Sequence, residues 1–271
     1  MAWHSPGMQA FVAIGDSFTE GLDDALPHGG HRGWADRVAD RLSVEVRGFH
    51  YANLAVRGRL LGQVVAEQLP LALSLEPSLV SFAAGTNDAL RRGFDPEGLS
   101  ELVCETARRI TAAGAVPLLF TGTDPSRRLP LTRRLLPRIE ALNAAAREAA
   151  WETDGVLVDL WPERVFDDTR LWSEDRLHLN ALGHARVADA VLEALGFEIA
   201  ADWRAPLPAA LPLSWSGRRV ADLRWAGSHL VPWVHRRLRG RSSGDLISAK
   251  HPELAPWGVI DITDSADQRV G

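Results

Sequence analysis

Cysteine is almost missing from this chain of 271 residues, since Cys104 is the only one. A single thiol excludes an internal disulfide framework and fits a reducing compartment. Because free cysteines are among the most often buried side chains, we expect Cys104 in the core. The chain also has no HExxH or paired-cysteine spacing, no G-x-G-x-x-G and no phosphate-binding loop. We therefore predict neither a metal site nor a cofactor.

Long apolar runs are missing as well. The first one extends only from residue 10 to 14, which is the length of a strand, and no basic segment precedes it. A secretory signal needs a longer apolar stretch behind basic residues, and a membrane span needs about 20 apolar residues. The sequence therefore predicts neither, and we expect a cytoplasmic location.

Positive charge is scarce in the first part of the chain. Of the 30 basic and 35 acidic side chains, residues 1–198 carry 20 basic and 28 acidic ones, so residues 199–271 carry 10 and 7. The net charge therefore changes from −8 to +3, and we place a boundary near residue 198. An acidic chain with no recognisable module is not expected to bind nucleic acid.

The apolar pattern alternates between strand-like runs and helical spacing. Strands are predicted at 9–14, 44–54, 78–84, 116–121 and 156–160, and helices at 31–42, 60–75, 96–113, 131–151 and 180–195. This alternation predicts an α/β fold, a flavodoxin-like three-layer α/β/α sandwich with a five-stranded parallel sheet. Ligands of such sheets bind beyond the carboxyl ends of the strands.

Two of four short motifs bear a nucleophile and its base. In Gly15-Asp16-Ser17 the serine follows a predicted strand directly, which exposes its hydroxyl; a helix cap is the alternative for the motif alone. In Asp175-Arg176-Leu177-His178 the carboxylate precedes the imidazole by three residues. That spacing lets Asp175 bind Nδ1 of His178 and leaves Nε2 for Ser17, as acyl transfer requires.

The other two motifs, at 53–58 and 85–88, also follow predicted strands. Gly58 ends the first, and glycine lets a backbone approach a substrate closely. Asn87 lies in the second, and taken alone it indicates only an Asx turn. Each motif alone is weak evidence for a catalytic site, so the prediction rests on the four motifs occurring together in this order.

Together the four motifs resemble those of the SGNH/GDSL hydrolase family, over roughly residues 9–197. The resemblance implies a catalytic triad of Ser17, Asp175 and His178. It also implies an oxyanion hole formed by the N–H groups of Ser17 and Gly58 and the side chain of Asn87. No metal or cofactor is implied, and Leu179 stands where the family usually has proline.

The resemblance implies a serine esterase of the lipase/esterase type that acts on a small-molecule ester through an acyl-Ser17 intermediate. An acyltransferase or a thioesterase using the same triad stays open. A binding protein without turnover has less support, because every implied catalytic position carries a suitable side chain.

Residues 199–271, which we call the C-terminal extension, lie beyond the resemblance. They contain five of the ten tryptophans, Trp203, Trp215, Trp225, Trp233 and Trp257, and seven arginines between 214 and 241. The favoured interpretation is an arm packed on the acidic main domain. A surface for membrane lipids or an acidic partner, and an oligomerisation arm, are the alternatives.

Overall fold

Six strands form one sheet in the computed structural model, which describes residues 9–209, 225, 227–228, 244 and 246–258. They are β1 (Ala10–Gly15), β2 (His50–Asn53), β3 (Leu79–Ala83), β4 (Val116–Phe120), β5 (Val156–Val158) and β6 (His251–Pro256). Their order is β5-β4-β3-β1-β2-β6, and β1 to β5 are parallel. The predicted α/β fold with a mostly parallel sheet is confirmed.

Helices cover both faces of this sheet. They are α1 (Ser17–Glu20), α2 (Gly33–Glu45), α3 (Leu61–Gln63), α4 (Leu69–Ser74), α5 (Thr86–Ala89), α6 (Pro96–Ala112), α7 (Leu136–Thr153) and α8 (Ala181–Ala194). A π-helical segment, Val64–Gln68, joins α3 to α4, and 3₁₀ turns span Pro130–Leu135, Arg164–Asp167 and Thr169–Leu171.

The core has two halves because side chains alternate along each strand. In β1, Phe11 and Ala13 pack with α2 and α8, whereas Val12 and Ile14 pack with α3, α4, α6 and α7. Both faces of β1 are therefore buried, as expected for a parallel sheet covered by helices. Cys104 on α6 is 6% exposed, which confirms its predicted place in the core.

The sheet has its switch point at β1, since β2 lies on one side of this strand and β3 on the other. The connections after β1, β2 and β3 therefore meet at the carboxyl edge of the sheet. Ser17, Gly58 and Asn87 lie in these three connections. A crevice at such a point is where open α/β sheets bind ligands.

Several element boundaries differ from the sequence prediction: the helix predicted at 131–151 begins at Leu136 after a 3₁₀ turn, and the strand predicted at 156–160 ends at Val158. Two further differences have a clear physical reason. Helix α2 continues to Glu45, where a strand beginning at Val44 was predicted; Val44 is 79% exposed, so its apolar side chain does not mark a buried strand. The predicted helix at 60–75 is divided by the π-helical segment. Pro70 lies two residues after this segment, and a proline there lacks the N–H that would bond to the preceding turn.

The prediction of five strands is wrong, because β6 adds a sixth. This strand comes from the C-terminal extension and pairs antiparallel with β2, which would otherwise be an exposed edge. The prolines at 252 and 256 argue against a strand in the sequence, since proline is tolerated in sheets only at edges. Because β6 is an outer strand, the missing N–H groups of these prolines cost the sheet little stability.

Other parts of the extension also contact the sheet domain. Trp203 is 2% exposed and lies in the same core half as α2 and α8, while Trp257 packs beside Tyr51 with ring centroids 4.9 Å apart. Trp215, Trp233 and most of the arginine-rich stretch lie outside the described residues. The boundary near residue 198 stays a prediction.

Within the ranges described, none of the helices combines the length and hydropathy needed to cross a bilayer.

Candidate active site

Ser17 is the first residue of α1, directly after the turn that ends β1. Asp16 caps this short helix, its Oδ1 accepting from the N–H of Phe18 at 3.1 Å. Buried Gln68, in the π-helical segment, fixes Gly15 by accepting from its N–H at 2.8 Å and donating to its carbonyl at 3.0 Å. The nucleophile candidate therefore lies on a turn that is held on both sides.

The structure brings Ser17, His178 and Asp175 into one hydrogen-bonded chain, although 158 residues separate Ser17 from Asp175 in the sequence. The Nε2 atom of His178 is 3.0 Å from Oγ of Ser17, and its Nδ1 is 2.6 Å from Oδ2 of Asp175. This is the arrangement in which a carboxylate fixes the tautomer of an imidazole and leaves the second nitrogen able to accept a proton.

Asp175 is held as an acceptor by its own turn. Its Oδ1 accepts from the N–H groups of Leu177 and His178, at 2.8 and 3.0 Å, and from the hydroxyl of Ser173 at 2.7 Å. Burial favours the neutral acid, but the hydrogen bond and charge of His178 outweigh it and keep the pKa of Asp175 well below its usual range. Asp175 is thus a carboxylate near neutral pH.

The pKa of His178 is raised above its ordinary value. Burial alone would lower it, but the hydrogen bond and charge of Asp175 prevail, and the charges of Asp23 and Asp16 add to them. The imidazolium that forms when a serine proton moves is therefore stabilised.

A second carboxylate, Asp23, lies near the pair. Its Oδ2 is 3.8 Å from Nδ1 of His178 and 2.7 Å from the hydroxyl of Ser173. By distance alone, donor atoms of Asp23, Asp175 and His178 would suit a metal ion. The contact of Nδ1 with Asp175 already accounts for their proximity, so we assign no metal here.

Asn87 lies between the loops of the other two oxyanion candidates. Its Nδ2 donates to Oδ2 of Asp16 at 3.0 Å and to the carbonyl of Arg59 at 3.1 Å. These neighbours flank Ser17 and Gly58 in the sequence, and Gly58 adopts a left-handed φ of 75°. The amide thus ties the two loops together, and both of its hydrogens are engaged.

Asp16 itself is an unusual carboxyl group, because it is 4% exposed. Burial raises its pKa to about 6, against the hydrogen bond from Phe18, the charge of His178 and the hydrogen bond from Asn87. A second acidic residue, Asp88 on α5, accepts from the N–H of Leu61 at 2.9 Å. This bond joins α5 to the start of α3.

A cavity of about 460 Å³ adjoins these loops. Leu60, Phe94 and Leu99 provide apolar walls, and Asp88 and Arg91 provide polar ones. Its size and mixed lining suit a small organic group.

Three supporting residues were not predicted from the sequence: Ser173, Gln68 and Asp23. Ser173 precedes Asp175 by two residues, and this short polar spacing could have been noticed. Gln68 lies in the middle of a helical pattern, and Asp23 lies in a loop 152 residues before Asp175. No local signal connects either one to the site.

Comparisons with known proteins give the family and the fold of this chain. The model of the GDSL-like lipase/acylhydrolase family matches residues 13–186. Among solved structures, TesA is 27% identical, with a TM-score of 0.56, over 69% of this chain and 98% of its own. An acetylxylan esterase from Geobacillus stearothermophilus, Axe2, is 20% identical, with a TM-score of 0.61, over 73% and 98%.

A third structure, LAE5, is described as an α/β hydrolase enzyme from the metagenome of Lake Arreo, Spain. It is 23% identical, with a TM-score of 0.60, over 72% of this chain and 98% of its own. A search of curated proteins finds no match.

Proposed function

Since the chain belongs to the GDSL-like lipase/acylhydrolase family and is a hydrolase of ester bonds, we propose that it cleaves carboxylic esters through an acyl-Ser17 intermediate. The single observation that carries this proposal is the chain of contacts from Ser17 Oγ through both ring nitrogens of His178 to Asp175, at 3.0 and 2.6 Å.

In the first half-reaction, Oγ of Ser17 attacks the ester carbonyl while Nε2 of His178 takes its proton. The tetrahedral intermediate collapses, the bond to the alcohol oxygen breaks, and His178 returns the proton to the leaving alcohol. Water then attacks acyl-Ser17 by the same steps and releases the acid. Asp175 stays a carboxylate throughout and holds the imidazolium in each half.

We further propose that the N–H groups of Ser17 and Gly58 and the side chain of Asn87 receive the oxyanion. Asn87 must then exchange one of its present bonds, and the carbonyl of Arg59 is the weaker, neutral acceptor. A developing negative charge is a stronger acceptor than this carbonyl, which favours the exchange in the transition state.

The test combines hydrolysis of p-nitrophenyl esters, from acetyl to palmitoyl, with labelling by a fluorophosphonate. We expect hydrolysis of at least one ester, loss of that activity on labelling, and a label on the peptide that contains Ser17. Ser17→Ala serves as the unlabelled control. The proposal is wrong if the label is absent or lies on another serine while hydrolysis continues.

The ester series also tests the substrate side of the site. Added alcohols distinguish a hydrolase from an acyltransferase: transfer that exceeds hydrolysis at moderate alcohol concentrations supports the acyltransferase. If the cavity beside Leu60 and Phe94 holds the acyl group, its volume of about 460 Å³ favours short and medium chains over palmitoyl.

The pH dependence of kcat/KM follows from His178. Only the neutral imidazole accepts the serine proton, and its pKa is raised by Asp175, so activity should rise with pH through a value above that of an ordinary histidine, about 6.5. Steady-state rates between pH 5 and 9 measure this limb. An acid limb below the ordinary value for histidine would mean that Asp175 does not raise the pKa of the catalytic base.

A further inference from the structure

A residue of the C-terminal extension binds the turn that contains Asp175 and His178. The indole Nε1 of Trp225 donates to the backbone carbonyl of Asp175 at 2.8 Å, and the guanidinium of Arg176 lies 5.0 Å from the Trp225 ring. Trp225 lies beyond residue 186, where the family match ends. The contact therefore comes from a part of this chain that the family pattern does not describe.

The next carbonyl of the same turn is held by the sheet domain. Arg128 donates from Nη1 to the carbonyl of Arg176 at 2.9 Å, and its guanidinium stacks on Trp172 at 3.3 Å. Arg176 has a φ of 61°, a left-handed conformation that a residue with a Cβ adopts at a cost. Such a conformation persists only when surrounding contacts fix it.

Rotation about the backbone bonds of Arg176 would move the N–H of Leu177, which donates to Oδ1 of Asp175 at 2.8 Å and so helps to hold this carboxylate in place. Trp225 and Arg128 restrain the carbonyls at either end of Arg176, so they limit that rotation. The 2.6 Å contact between Asp175 and Nδ1 of His178 depends on this orientation. Small errors in such positions cost large factors in rate.

The extension also touches the loop before Gly58. A Cβ on Gly244 would lie 2.0 Å from the carbonyl oxygen of Arg57, so the two backbones are in close contact there. The extension therefore contacts both the turn that carries Asp175 and the loop that carries an oxyanion candidate.

We propose that Trp225 is a positioning residue of the esterase site, acting through the carbonyl of Asp175, and that the C-terminal extension thereby completes the active site. This inference rests on the proposed function. It assigns to Trp225 no contact with substrate: its effect passes through Asp175 to the base strength of His178.

The test is Trp225→Phe, which keeps an aromatic ring and removes the indole N–H. We expect kcat to fall about tenfold, which corresponds to the loss of one hydrogen bond, with KM little changed. A looser Asp175 raises the pKa of His178 less, so the acid limb of kcat/KM should move to lower pH. Reduced folding alone would lower the rate equally at every pH.

The matched control is Trp257→Phe, in the same extension. Trp257 also donates its indole N–H, at 2.8 Å, but to Oδ1 of Asp40 on α2. We expect this variant to keep the kcat and the pH profile of the wild-type enzyme. If both variants lose activity equally with an unmoved acid limb, the extension supports only the fold and the inference is wrong.

A second readout is independent of any ester. Histidine resonances followed by NMR give the pKa of His178 directly, with the signal assigned by its loss in His178→Gln. We expect a lower pKa in Trp225→Phe than in the wild type, and an equal pKa overturns the inference. If the wild type cleaves no ester and its Ser17 is not labelled, the proposed function fails, whereas the NMR comparison still decides the role of Trp225.

Discussion

Asp175→Asn should lower kcat by about 10⁴ while leaving the protein folded. The variant changes one oxygen to an NH₂ group and keeps the shape of the side chain. The expected loss is large because the substitution reverses the direction of the hydrogen bond to His178, beyond removing a charge. Steady-state kinetics on the best ester, with circular dichroism melts as the folding control, measure it.

The structure fixes which way the new amide must point. Two backbone N–H groups and the hydroxyl of Ser173 donate to Oδ1 of Asp175, so an NH₂ group in that position would face donors. The amide oxygen therefore stays there, and the NH₂ group faces Nδ1 of His178. Nδ1 must then accept, its proton moves to Nε2, and Nε2 can no longer take the proton of Ser17.

Asp23→Asn is the matched control, since Asp23 is the other carboxylate beside the imidazole. Its Oδ2 is 3.8 Å from Nδ1, too far for a hydrogen bond, so His178 loses only a longer-range charge, and the amide oxygen of the variant can still accept from the hydroxyl of Ser173. We expect kcat within about tenfold of the wild type. If instead Asp23→Asn shows the large loss of kcat and Asp175→Asn stays close to the wild type, Asp23 and not Asp175 orients His178, and the proposed triad is wrong.

The positions of Ser17, Asp175 and His178 could be anticipated because each lies in a short motif, Ser17 at the start of α1 and the other two in the loop before α8. The alternation of strands and helices places the ends of β1, β2 and β3 at one edge, so local patterns suffice to bring Ser17, Gly58 and Asn87 to neighbouring loops. The engagement of Asn87 with Asp16 and Arg59 depends on loop conformation, which the pattern does not contain.

The contacts of the extension could not be anticipated. Trp225 reaches Asp175 across 50 residues and Lys250 reaches Asp36 across 214, and neither pair shares a motif or a period. Strand β6 begins after Lys250 and contains two prolines, so its local preference opposes its structure. Tertiary packing decides these features, and only the folded chain displays them.

Lys250 is the only lysine of this chain, and its removal should cost about 3–5 kcal/mol of unfolding free energy. Its Nζ donates to Oδ1 of Asp36 at 2.8 Å and to the carbonyls of His31 and Arg32 at 3.2 and 2.5 Å, so all three hydrogens are used. Burial lowers its pKa, against the charge of Asp36. We predict this loss for Lys250→Met, measured by urea unfolding at pH 7.

The cost comes mainly from what remains behind. Asp36 is 5% exposed, and without Lys250 it becomes a buried carboxylate that keeps only an imidazole contact, with Nε2 of His251 3.6 Å from its Oδ2, among the ion pairs of the described residues. Asp36 also accepts from the hydroxyl of Tyr51, which in turn accepts from Asn53, and Asn53 donates to the carbonyl of Thr19 on α1. The unpaired charge of Asp36 thus lies at the end of a buried chain of hydrogen bonds that reaches α1, the helix that begins with Ser17.

The double variant Lys250→Met with Asp36→Asn distinguishes a broken ion pair from a lost packing contact. Because it removes both charges, it leaves no unpaired carboxylate, and it should recover a substantial part of the stability that Lys250→Met loses. An equal or larger loss in the double variant would mean that the lysine stabilises the fold through its packing and its carbonyl contacts. A loss below about 1 kcal/mol in Lys250→Met would mean that the pair is worth no more than an exposed one and that β6 docks without it.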